Sequence, residues 1–556
     1  MNAKSADRLR VHPLEITLGT FAGALTGLVL ALPFVAGRQL SVPPADWRQC
    51  LALILLVAGA LAGFFFAGAQ ASVEHVRGVR YYPDLRRAKR VLQCRERELM
   101  SDAQRTGTVR GWEIANIEMA RKREVGHIEL GGVPGSGKST ITKSVCDQSI
   151  ERGDRTLIFD PKGDYVARYF GRVPTILAGP WDLRGSIWFA ARDLRHDVLI
   201  TELSRIIIGD GPATKENQFF YRTAQRLLAG LIRSFGGEWS WCDLYGALGL
   251  PPTELVRAAA HGDAQIHTLM PSFSRLGGDV TGAEKNVLST LAERTALIRQ
   301  LAAVDKSDCA KFSVRDWLFN PDSPRLLILN ANAQFESAVQ ELYGALLAVI
   351  ADIIASPEMP EMDADQSGVS LILDEYPQAG PDSIRHLQRI EEVGRSRGVR
   401  VLKAMQDPAQ LRALLGRERA AAATAIQSTR IYCRPAPEAA ADICRLTGER
   451  EILRYSSDAG ADSPAGKRVQ PEHRAVLLPS DLLGLREVAD GVEMLVQIED
   501  VIARVVQPFA SALADQDAPA SVDSPDWLSG PPKPEGAPAV VNPSAESPAA
   551  HLEILP

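Results

Sequence analysis

Gly132, Val133, Pro134, Gly135, Ser136, Gly137, Lys138, Ser139 and Thr140 follow directly on the apolar run His127 to Leu130. Glycines at these places let a backbone wrap a phosphate with its amides turned inward, and the helix that follows offers its positive end to the same anion. Lys138 is placed to reach the β and γ phosphates, which makes it a candidate catalytic residue. The Ser139 hydroxyl is placed for the magnesium ion that accompanies a nucleotide. The chemistry expected of this stretch is binding of a nucleoside triphosphate, ATP with Mg2+.

A second chemical element lies far downstream, where the apolar strand Leu371-Ile372-Leu373 ends in Asp374-Glu375. Asp374 is placed to hold the magnesium through its water shell, and Glu375 to orient and polarise an attacking water. Paired acids also open helices, because their charge suits the positive helix end. The phosphate loop upstream and the position at a strand's carboxyl end favour the catalytic reading. Gln406 ends the next apolar strand, Val399 to Ala404, where its amide could hydrogen-bond a γ phosphate. Arg395, in Gly394-Arg395-Ser396-Arg397-Gly398, closes a helix. It either complements that helix's dipole or acts as an arginine finger in the site of a neighbouring subunit.

These side chains need a sheet to hold them. With 556 residues, 46% hydrophobic and 23% charged, the chain is long enough for two or three cored domains and is not a disordered protein. A net charge of −6 argues against coating nucleic acid by overall positive charge, so any nucleic-acid path must be a local basic track. Seven scattered cysteines lack the spacing of zinc sites or disulfide frameworks and read as reduced packing residues. Strands are expected at His127 to Leu130, Thr156 to Phe159, Leu326 to Leu329, Ser370 to Leu373, Val399 to Ala404 and Arg430 to Cys433, alternating with helices as in a parallel α/β sheet. Between Gly236 and Lys306 amphipathic stretches such as Thr253 to Ala260 and Asn286 to Leu301 replace that alternation, which predicts an all-helical insertion. After Ser511 the Pro, Ala, Ser and Asp content predicts a disordered tail.

The first hundred residues differ in kind. Ile16 to Ala36 and Leu51 to Ala69 are uncharged apolar runs of about twenty residues, the length of a membrane-crossing helix. Gly19, Gly23 and Gly27 in the first, and Gly59 and Gly63 in the second, allow close approach, so a transmembrane hairpin is expected. Basic residues from Arg77 to Arg97, with Lys4, Arg8 and Arg10, place the N-terminus and the large body in the cytoplasm. Only Gly37 to Gln49 would lie outside. The basic stretch after the hairpin suits anionic lipid headgroups, with a DNA-contacting surface as the alternative.

On these residues the chain resembles the type IV secretion coupling proteins, membrane-anchored pumps of bacterial conjugation related to chromosome-segregation DNA translocases. The likeness rests on the hairpin, Gly132 to Ser139, Ile158-Phe159-Asp160-Pro161-Lys162-Gly163-Asp164-Tyr165, Asp316-Trp317, Leu371 to Glu375, Gly394 to Val401 with Met405-Gln406, and Leu477-Leu478-Pro479-Ser480-Asp481. It implies a RecA-like P-loop NTPase of α/β class with an all-helical insertion domain, preceded by a two-helix transmembrane hairpin, in a bacterial inner membrane. The implied boundaries are 1–75 for the hairpin, 76–235 and 307–510 for the two parts of the nucleotide-binding domain, 236–306 for the insertion and 511–556 for the tail.

The resemblance also implies a hexameric ATPase that pumps single-stranded DNA led by a relaxase, and it places Arg395 as the finger acting on the next subunit's Lys138, Ser139, Asp374, Glu375 and Gln406. Inner-membrane components of the secretion channel would be partners. Family members often carry a sizeable periplasmic segment, so the short loop here points to contacts made by the membrane helices themselves. The Asp160 to Asp164 signature needs no more than a turn shaped by Pro161 and Gly163. Two other functions share the same site: a nucleotide-gated receptor that recruits protein substrates, and a duplex DNA translocase.

Overall fold

The structure is a computed structural model that describes residues 73–212, 214–274, 280–306, 308–457, 467–509 and 518–530. The two apolar runs expected to form the membrane hairpin, and the loop between them, lie outside the described residues. The chain divides into two compact units. One comprises the described residues up to Arg95, Gly131–Gly137 and the described residues from Ser428 to Pro508; the other comprises the described residues of Glu96–Leu130 and Lys138–Gln427 and those from Phe509.

The larger unit is α/β. In chain order its main elements are β1 (Ile128–Gly131), α1 (Lys138–Glu151), β2 (Arg155–Asp160), α2 (Asp164–Tyr169), β3 (Thr175–Ala178), α3 (Lys215–Ser234), β4 (Leu326–Asn330), α4 (Glu336–Ala355), β5 (Val369–Leu373), α5 (Gly380–Gly394) and β6 (Val399–Met405). Strand order across the sheet is β1-β6-β5-β2-β4-β3. From β6 to β3 every pairing is parallel, with Val369 opposite Val399 and Arg155, and Leu326 opposite Thr156 and Thr175. Parallel strands covered on both faces read as unbroken apolar runs, and β4, β5 and β6 are buried at every position. Parallel pairing also gathers all the strands' carboxyl ends at one edge, where such sheets bind ligands.

Helix α4 packs along α5 and contributes Leu342, Tyr343, Leu346, Leu347, Ile350 and Ile354 to the core. Together with the short turn before it (Ala333–Ala355) it is the one stretch, among the described residues, that is long and apolar enough to cross a membrane. With 72% of its most apolar window buried it is a core helix instead.

The helical excursion begins earlier than residue 236. It leaves the sheet after Ile187–Trp188 and returns at Lys311–Phe312, and these two short strands pair in parallel at its neck. Helix α3 belongs with it: α3 packs on the helices Pro252–Gly262 and Gly282–Arg294, because Ala224, Leu227, Leu228 and Leu231 form a fully buried stripe at helical spacing. The helix Asp197–Ile208 packs on both α3 and the core helix α4. Asn286 to Leu301 is two helices, Gly282–Arg294 and Ala296–Val304, parted at Thr295.

The tail is also corrected in part. Residues 518–530, expected to be disordered, form a strap whose helix Pro525–Ser529 is capped by Ser524. Trp527 packs edge-on against Trp181 at 5.5 Å and Phe335 at 5.8 Å, Ser524 N donates to Trp181 O, and Lys306 pairs with Asp526 at 2.6 Å. One buried tryptophan outweighs a polar composition: its burial is worth roughly 3–5 kcal/mol against truncation.

The smaller unit is antiparallel. Gly491–Ile498 and Val501–Pro508 form a hairpin; Thr429–Tyr432 pairs with the first of these strands and Arg80–Tyr82, in parallel, with the second. Ile443, Leu477, Leu482, Leu485, Leu495 and Ile502 form its core. Val73–Arg77, Glu449–Ser457 and Lys467–Ala475 make a separate sheet of three. The basic stretch after residue 77 folds largely as the helix Leu85–Leu99, on which Arg86, Arg87 and Arg90 are exposed while Arg95 pairs with Asp500 at 3.0 Å.

Candidate functional site

The loop after β1 is shaped by its own unit. Val133 N donates to Arg434 O at 2.9 Å and Ser136 N to Val133 O at 3.2 Å, which folds Gly132 to Ser136 into a tight arch. Gly137 has φ +91, and a β-carbon there would stand 2.7 Å from the Val492 methyls. Both the left-handed backbone and the close approach require glycine at that position. The loop then runs straight into α1, whose first residue is Lys138.

In the larger unit Lys138 Nζ lies 3.5 Å from Glu375 Oε1, with both side chains 5% exposed. Gln406 Nε2 donates to the same Oε1 at 2.8 Å. Three of the residues singled out by sequence, from three distant segments, thus converge on one carboxylate oxygen. Glu375 gets there by a left-handed backbone, φ +55 and ψ +47, a conformation that costs a non-glycine residue about 1–3 kcal/mol. The turn Tyr376–Ala379 behind it, with Tyr376 and Ala379 buried, holds that geometry.

Asp374, one residue earlier, points its Oδ2 at the Tyr165 hydroxyl, which donates at 3.2 Å. Its Oδ1 is buried and has no hydrogen-bond partner among the described residues. Ser139 and Thr140 sit in the first turn of α1, the serine exposed and the threonine half-buried.

Arg395 is elsewhere. It stands in the turn before β6, whereas Gln406 follows that strand's other end, so the two occupy opposite edges of the sheet. Its side chain is exposed and lines an open groove with Lys122, Val125, Ile354 and Glu392.

The Asp160 to Asp164 signature forms the turn expected of Pro161 and Gly163, and Asp160 holds it. Asp160 Oδ1 accepts from the Lys162 and Gly163 amides at 3.2 and 2.8 Å, and Oδ2 accepts from Tyr165 and Val166, both at 2.9 Å. Gly163 at φ +80 completes the turn, with Ala520 packed within 3.0 Å of where its β-carbon would be. An Asp at a strand end followed by Pro and Gly is a legible turn signal. Tyr165's contact with an acid 209 residues away has no such signal.

Residues 111–505 match the family described as the type IV secretion-system coupling protein DNA-binding domain. The chain belongs to that family. Among curated relatives of this coupling-protein chain, the coupling protein TraD of Escherichia coli (strain K12) is 22% identical over 361 residues, covering 63% of the chain and 48% of TraD. The chain thus matches about half the length of that relative. Solved structures of the bacterial conjugative coupling protein TrwB share its fold. The unbound TrwBΔN70 superposes with a TM-score of 0.62 at 20% identity, covering 81% of this chain and 96% of that one. TrwB in complex with ADP and Mg2+ gives 0.63 at 21%, covering 81% and 98%.

In this coupling protein the site's electrostatics follow from burial. Removal from water pushes the Asp374 pKa up and the neighbouring Glu375 charge adds to that, while Lys138 and the Tyr165 hydrogen bond oppose both. Burial also pushes the Tyr165 phenol well up, so it stays a proton donor. At Asp160 burial raises the pKa to about 6 against four amide donors that pull it down.

The residues present fit a divalent cation: a hard carboxylate with one buried, unpartnered oxygen and a serine hydroxyl in the loop helix are the donors such an ion takes with a phosphate. A bound Mg2+ would supply neutralisation of phosphate charge there. Asp374 and Ser139 would hold it, Lys138 would meet the phosphates, Glu375 would hold and polarise a water, and Gln406 would fix Glu375.

Proposed function

We propose that this chain is an ATP-driven, RecA-like motor of a bacterial inner membrane, which couples a relaxase-led single-stranded DNA to a type IV secretion channel and moves it. The observation that carries the reading is the convergence of Lys138, Glu375 and Gln406, with Asp374 beside them, at the carboxyl edge of a parallel sheet that follows a phosphate loop. A receptor that only binds nucleotide has no need of a carboxylate held in a strained left-handed backbone where it can polarise a water.

Family membership supports a DNA substrate, and TrwB structures with ADP and Mg2+ and with an ATP analogue support ATP with Mg2+. The exposed Arg395 at the opposite sheet edge supports a ring in which one copy completes the next copy's site, as a homo-hexamer would. Grip on DNA would be electrostatic and independent of sequence. Multi-pass anchoring with a cytoplasmic body follows from the two apolar runs and the basic residues that flank them.

The test is ATP hydrolysis by the full-length protein in detergent, alone and with single-stranded or duplex DNA. Single-stranded DNA is expected to stimulate turnover, and Lys138→Ala to abolish it. Turnover that ignores both DNAs would favour the nucleotide-gated receptor, and stimulation by duplex alone the duplex translocase.

A further inference from the structure

The Tyr165 hydroxyl sits between two parts of the proposed nucleotide site. It lies 2.6 Å from Thr142 Oγ1, one turn into α1 from Lys138, and donates to Asp374 Oδ2 at 3.2 Å. A phenol carries a single proton, and a carboxylate can only accept. The proton therefore goes to Asp374, and the phenol oxygen accepts from Thr142 Oγ1, whose other acceptors, Lys138 O at 3.4 Å and Ser139 O at 3.3 Å, are more distant. The result is a directed chain, Thr142 to Tyr165 to Asp374, in which Tyr165 and Thr142 are at most 1% exposed.

The middle of this chain is fixed. Four amide bonds to Asp160 set the first turn of α2 and hence the position of Tyr165. Residue 520 of the strap closes over Gly163 from outside. With Oδ2 committed to Tyr165, the carboxylate cannot rotate freely, and Oδ1 is the oxygen left buried and unpartnered.

We propose that Tyr165 is a positioning residue of the metal–nucleotide site: its hydroxyl sets the rotation of Asp374 so that Oδ1 faces the divalent cation, and ties that setting to the phosphate-loop helix through Thr142. The proposal rests on the nucleotide reading above and adds to it the residue that orients the metal's carboxylate. A ring that merely fills the core would serve as well without its oxygen. Partners that orient metal ligands typically change metal affinity 10–100-fold when removed.

The test is binding of a fluorescent ATP analogue to the full-length protein, with and without Mg2+, alongside steady-state hydrolysis. Tyr165→Phe keeps the ring and removes the oxygen. Its affinity without Mg2+ is expected to equal that of the parent, its Mg2+-dependent gain in affinity to shrink about tenfold, and the Mg2+ needed for half-maximal hydrolysis to rise about tenfold. The value of kcat at saturating Mg2+ should change only severalfold. A parent protein that shows no Mg2+-dependent binding sinks the nucleotide reading itself. A parent that shows it, with an identical Tyr165→Phe protein, overturns the Tyr165 role alone. Should Tyr165→Phe fail to fold by thermal melting, Thr142→Val decides: a rise in the Mg2+ requirement in the same direction supports the chain, and an unchanged requirement overturns it.

Discussion

Replacing Arg395 by Ala should leave each subunit's own nucleotide binding intact and remove hydrolysis only from the assembled protein. From Gly398 to Gln406 the backbone runs extended along β6, and a rise of ~3.3 Å per residue makes that roughly 25 Å. An arginine side chain is far shorter than this, so Arg395 cannot reach its own subunit's Glu375, and any catalytic effect must act on a neighbour. Fingers of this kind contribute about 10³–10⁵ in kcat, roughly 4–7 kcal/mol of barrier.

The assay is specific activity against protein concentration, with ATP affinity measured on the same samples. Wild-type activity should rise as subunits assemble. Arg395→Ala should lose about 10³-fold at the plateau while its ATP affinity stays nearly unchanged. Co-assembly with Glu375→Gln, itself inactive, should restore activity, because about a quarter of the interfaces in a randomly mixed ring pair an intact Glu375 with an intact Arg395. An Arg395→Ala protein as active as wild type, or a mixed ring no better than its parts, would refute the shared site.

Two further outcomes follow from buried charge. Lys403 Nζ lies 2.8 Å from both Glu391 Oε1 and Ala423 O, with both partners of the ion pair essentially unexposed, so Lys403→Met should lower stability by about 3–5 kcal/mol by denaturant titration. Adding Glu391→Leu should return most of that loss, and a double variant no more stable than the single would contradict it. Burial raises the Glu341 pKa to about 7, against the pull of Arg294. A carboxyl that binds its proton more tightly when folded stabilises below its ordinary value of 4.5, and that contribution is lost as pH rises through about 7. Glu341→Gln should therefore match wild type near pH 5 and exceed it at pH 8 by up to about 3 kcal/mol, and parallel melting curves across that range would sink the idea.

The sheet was legible because its strands are apolar runs bounded by turn residues: β2, β4, β5 and β6 each form within a residue or two of where composition places them. Of the antiparallel unit only Thr429–Tyr432 was legible, as the strand expected at Arg430 to Cys433, and its antiparallel pairing was not. Gly491–Ile498 and Val501–Pro508 flank Glu499-Asp500, a two-residue turn with Glu499 at φ +50 that lacks the usual Asn-Gly or Asp-Gly signal. α3 is amphipathic like the helices after residue 236, and only packing says which layer it joins. Strap residues 518–530 read as tail because one tryptophan among polar residues leaves no periodicity.

At the site, Lys138, Asp374 and Glu375 were readable as motif residues, and Gln406 from its strand end. Tyr165 was invisible because its role depends on a hydroxyl reaching a partner that only the fold brings near. Asp160 looks like an ordinary turn residue and is one; its consequence lies in what that turn aims.

The central claim, that the carboxylate held by Lys138 and Gln406 polarises the water that cleaves bound triphosphate, is tested most directly by a single-turnover measurement on Glu375→Gln with binding followed in the same sample. ATP is expected to bind with wild-type affinity and to remain uncleaved, with the chemical step slowed by about 10²-fold or more. Cleavage at the wild-type rate by protein that has bound ATP normally would contradict it.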